Sequence, residues 1–65
     1  VSGLTATQYV LRARVDRAAA RLIDSDDPIA VVAAECGFYD QANLTRQFGR
    51  LAGETPARFR AAHSG

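Results

Sequence analysis

Between Asp40 and Ala52 the chain sets Ala42, Asn43, Thr45, Arg46, Gly49 and Arg50 on one side of a helical wheel, opposite Leu44, Phe48 and Leu51. The first set combines small residues with groups that read nucleobases. Arginine bonds the edge of guanine, asparagine bonds adenine, and a methyl group touches thymine. A helix enters the major groove only if its outer side is slim, a condition that Ala42 and Gly49 meet while Arg46 and Asn43 supply the reading groups. Thr45 can donate to a phosphate. The plain alternative is that Arg46 and Arg50 are ordinary solvated charges.

Other chemistries find no residues to carry them. There is no nucleophile with a base partner, no carboxylate pair on an enclosing scaffold and no glycine-rich phosphate loop, so neither a catalytic residue nor a cofactor is expected. Cys36 is the single cysteine and His63 the single histidine, which excludes an internal disulfide and leaves too few ligands for a zinc site. Asp24, Asp26 and Asp27 lack the spacing and the closing glutamate of a calcium loop. Cys36 reads as a small buried apolar group, without a basic sequence neighbour to lower its pKa.

The elements that must hold the Asp40–Ala52 segment follow from caps and periodicity. Thr5 and Gln8 form a capping box for a first helix over about 5–24. Its inner arc is Leu11, Val15, Ala18, Ala19 and Leu22, and a second apolar arc is Tyr9, Ala13, Ala20 and Ile23. Arg12 and Asp16 pair at i, i+4, and Arg14, Arg17 and Arg21 make a basic edge, with Arg14 expected to serve the fold. Asp27 caps a second helix over 28–36, with Pro28 in its first position and Ile29, Val32 and Ala33 facing inward. Gly37 ends it. Asp40 caps a third helix over 40–51 with Leu44, Phe48 and Leu51 inside, and Gly53 stops it. Thr55 and Pro56 start a last helix over 56–62, anchored by Phe59, after which His63 lies in a tail. No segment alternates with period two, so the fold class is all-α, in one domain.

Composition agrees. Thirteen alanines and only seven glycines and prolines suit helices, and 65 residues allow one marginally stable core. The net charge of +1 hides a basic first third (+3 over 1–23), an acidic middle (−5 over 24–40) and a basic end (+3 over 41–65). The two basic parts, including Arg58 and Arg60, would supply electrostatic affinity for phosphate. No apolar run reaches membrane-spanning length and Val1-Ser2-Gly3 is no signal peptide, so no membrane partner and a cytoplasmic location are expected.

Three ordered stretches carry a family likeness: Val32-Ala33-Ala34-Glu35-Cys36-Gly37-Phe38, Asp40 through Phe48, and Gly53-Glu54-Thr55-Pro56-Ala57-Arg58-Phe59-Arg60. They resemble the second helix-turn-helix of AraC/XylS-type transcriptional regulators, and Tyr9, Arg14, Val15, Ala18 and Leu22 resemble the family's linker helix. The resemblance covers about 4–60. It implies a homeodomain-like helix-turn-helix fold and a DNA-binding transcription regulator whose third helix enters the major groove. Carried over residue by residue, Gln41, Ala42, Asn43 and Arg46 would be the base readers and Thr45 a backbone contact, with Arg50 beside them. Gly49 departs from the pattern, standing where the family often has a basic residue, and Ala42 stands where a longer polar side chain is frequent. The resemblance further implies that residues 1–65 are part of a two-unit domain lacking its first unit. Double-stranded DNA is the implied partner, with RNA polymerase a further one for the full-length protein. A competing reading is a helical protein-interaction or dimerisation module that uses Tyr9, Ala13, Ala20 and Ile23, and would bury the outer side of the third helix. The same arc leads us to expect self-association of the isolated chain.

Overall fold

The computed structural model describes residues 6–63. Four helices make up the fold: α1 (Ala6–Asp24), α2 (Ile29–Glu35), α3 (Gln41–Ala52) and α4 (Pro56–His63). The capping box expected at Thr5 lies outside the described residues. The helix bounds otherwise fall within a residue or two of those the caps and periodicity predict. Helix α1 packs against each of the other three, and α3 also packs on α2 and α4.

The core is the inner arc of α1 meeting the inner faces of the helix pair. Val15, Ala18 and Leu22 of α1 close on Val32 and Ala33 of α2, Cys36 and Phe38 of the turn, and Leu44 and Phe48 of α3. Leu22, Leu44 and Phe48 are fully enclosed. Burying each such side chain stabilises the fold by about 1.5–3 kcal/mol, a large share in so small a domain. Phe59 of α4 meets Phe48 edge to face, with ring centroids 5.3 Å apart.

Local chemistry sets the helix ends. The amide of Phe38 donates to Ala33 and that of Gly37 to Ala34, the paired bonds of a Schellman ending, and Gly37 takes the positive φ of 89° that this ending requires. The buried Phe38 supplies its apolar contact. At α3, the Asp40 carboxylate accepts from the Asn43 amide at 2.8 Å, and Gly53 closes the helix in the left-handed region. Thr55 accepts from the Arg58 amide at 3.2 Å, so the expected cap of α4 forms.

Several expectations need correction. Asp27 does not cap α2: Pro28 is the cap residue, and its carbonyl receives the Val31 and Val32 amides. The Asp27 carboxylate instead accepts from Arg21 at 2.8 Å, because a guanidinium outcompetes a backbone amide as a donor to a carboxylate. Arg21 also pairs with Glu35, so it leaves the basic edge and becomes a staple between α1 and the start and end of α2. Leu51 is 41% exposed, since beyond Phe48 the facing side of α1 offers Gln8 and Arg12 beside Leu11. His63 is no tail residue: it ends α4, stacked on Phe59 with Nδ1 donating to the Phe59 carbonyl at 2.9 Å.

Candidate nucleic-acid interface

Helix α3 is held from behind and open in front. Leu44 and Phe48 anchor it in the core, and its two caps fix its ends. On the other side Gln41, Ala42, Arg46 and Arg50 are exposed, while Asn43, Thr45 and Gly49 are half-buried. Ala42 and Gly49 lie one turn on either side of Arg46, so its guanidinium rises between two low positions. A Cβ built on Gly49 would meet nothing within 4 Å. Arg46 has no ion-pair partner among the described residues. Arg50 leans toward α1, sharing a shallow groove with Gln8, Leu11, Arg12, Gln47 and Leu51.

The side chains behind this surface keep α2 and α3 in register with α1. Arg14 lies across the turn: a Cβ on Gly37 would come within 3.2 Å of its Nε, which fits the structural role expected of it. Arg60 was expected to add to the charge facing DNA. It is committed elsewhere, donating from Nε to the Leu22 carbonyl at 3.0 Å and from a terminal nitrogen to Ser25 at 3.2 Å. These are the carbonyls left open where α1 ends, and a cation there also meets the negative end of the helix dipole. Neither bond could be read from sequence, because the partners lie 38 and 35 residues apart.

Cys36 sits at the end of α2, 5% exposed. Burial pushes its thiol pKa up, with Arg17 and Arg21 of α1 drawing it partly back and Glu35 adding to the rise. The basic neighbours missing from the local sequence thus arrive by packing, yet burial prevails and the thiol stays protonated. Among the described residues no group of three or more histidine, cysteine or acidic side chains could hold a metal ion, and no helix is long and apolar enough to cross a membrane.

Tyr39 is not among the site residues expected from the sequence. It is 93% exposed, immediately ahead of the Asp40 cap. The second arc of α1 is also open, with Tyr9 69% and Ile23 49% exposed.

Residues 1–62 match a family model described as a helix-turn-helix domain. Over 57 residues the chain is 40% identical to the probable transcriptional regulator LumQ of Photobacterium leiognathi, which covers 88% of this chain and 23% of that protein. It is 36% identical over 59 residues to the HTH-type transcriptional activator RhaS of Pectobacterium carotovorum subsp. carotovorum and of Pectobacterium atrosepticum, covering 91% of this chain and 21% of each relative. The chain therefore spans less than a quarter of the length of these curated relatives. No solved structure matches it.

Proposed function

From the premise that this chain belongs to the AraC-type helix-turn-helix family, we propose that it is the DNA-binding part of a transcription regulator and that α3 enters the major groove. Gln41, Ala42, Asn43 and Arg46 face base edges in this reading, and Thr45 and Arg50 meet the phosphate backbone. The observation that carries it is the open side of α3: Arg46 stands exposed and unpaired among the described residues, between the low positions Ala42 and Gly49. An interaction module that used α3 would cover that side. Arg46 bonded to guanine would discriminate against other bases by about 1–3 kcal/mol.

The test is a titration of the full-length protein with a duplex obtained by binding-site selection. Affinity should fall about tenfold or more between roughly 50 and 200 mM salt, because each phosphate contact releases counterions. Arg46→Ala should relax preference at one base pair and leave the others intact. A shallow salt dependence would sink the phosphate contacts, and an equal loss on every sequence would remove Arg46 from base reading.

The exposed side of α1 belongs to the same proposal. We read Tyr9, Ala13, Ala20 and Ile23 as the seat of a first helix-turn-helix unit in a two-unit domain, a reading supported by the small share of its relatives that the chain spans. With that seat empty, two copies of the isolated chain should cover each other's arc. Sedimentation that finds only monomer at high concentration would refute this.

A further inference from the structure

Of all the large apolar side chains described, Tyr39 is the most exposed, at 93%. Its backbone is nevertheless firmly placed. On one side Phe38 is buried in the core and its amide donates to the Ala33 carbonyl at 2.9 Å. On the other, Asp40 is extended and caps α3 through the Asn43 amide. The chain turns Phe38 inward and Tyr39 outward, so a phenol is presented to solvent from a fixed point. Its ring contributes almost no burial to the fold.

We propose that Tyr39 is a further DNA contact, its hydroxyl donating a hydrogen bond to a phosphate oxygen where the amino-terminal end of α3 enters the groove. The inference rests on the reading that α3 lies in the major groove. A recognition helix brings its first residues to base edges, so the residue just ahead of its cap comes out over the groove wall. The atoms available there are sugar and phosphate, and tyrosine is among the usual phosphate donors. Fixing the backbone on both sides limits the freedom lost when the bond forms. The phenol is a neutral donor, which separates its signature from that of an arginine.

The experiment compares the full-length protein with its Tyr39→Phe variant on the selected duplex and on an unrelated duplex of equal length. Removing only the hydroxyl should weaken binding about three- to tenfold, the size of one net hydrogen bond, by the same factor on both duplexes. The slope of log affinity against log salt should stay unchanged, since no counterion release is lost. The melting temperature should not move, because the side chain is outside the core. Wild-type affinity in the variant would overturn the proposal, as would a loss confined to the selected duplex, which would make Tyr39 a base contact. A wild-type protein that binds the selected and the unrelated duplex equally would instead overturn the groove reading beneath it.

Discussion

Arg21, in the last turn of α1, and Arg60, which reaches the end of α1 from α4, are tied into the fold, whereas Arg46 and Arg50, on α3, have no ion-pair or hydrogen-bond partner among the described residues. Arg12 falls between the two groups, paired with Asp16 at 3.3 Å but largely in water, where such a pair adds only a few tenths of a kcal/mol. One residue type thus serves two ends. Around the close of α1 the acidic residues and the open carbonyls of a helix end consume positive charge, and the guanidinium becomes a structural tie. On α3 the nearby acids are Asp40, whose carboxylate is taken by the Asn43 amide, and Glu54, four residues beyond Arg50, which forms no ion pair among the described residues. The charge that remains available for a partner is the charge the fold has no use for.

The comparison breaks most visibly at Arg60. Arg60→Ala leaves the Leu22 and Ser25 carbonyls without their charged donor in a part-buried setting. The expected loss is about 2 kcal/mol, which lowers the melting temperature of so small a domain by about 10 °C. Arg46→Ala should leave the melting temperature where it is and change DNA binding alone. Thermal denaturation followed by circular dichroism checks both. If the two variants melt together, the division between structural and available arginines is wrong.

That division was only half readable in the sequence. Caps and periodicity report on neighbours within a turn or two, and they located α3 and its inner residues Leu44 and Phe48, though not the exposure of Leu51. Asp40, Gly53 and Thr55 act within four residues of their partners, so the local pattern was enough. Arg60 reaches back 35 and 38 residues, and Arg21 bridges 14 to Glu35, distances at which periodicity carries no information. Asp27 had two competing partners, and only the packing of α2 against α1 decides between an amide and a guanidinium. Leu51 shows another limit: a wheel tells which side of a helix is apolar but not how far the opposing helix keeps an apolar face. The open side of α3 was legible as a surface, while its engagement with bases rests on the proposal above.

Gly37 and Gly49 sharpen the same contrast with a smaller effect. Gly37 has a positive φ and lies under Arg14, so the turn there requires the missing side chain. Gly49 has neither reason: it sits inside α3, its φ is ordinary and a Cβ would enter open space. A helix-interior glycine is about 0.5–1 kcal/mol less stable than alanine, so Gly49→Ala should raise the melting temperature by about 4 °C. The available side of α3 then predicts a second outcome. Gly49→Arg sets a new cation one turn from Arg46 and should strengthen binding to all duplexes while steepening the salt slope by about one unit. If Gly49→Ala destabilises the chain instead, that position serves the fold after all, and the open side of α3 begins further toward its amino-terminal end.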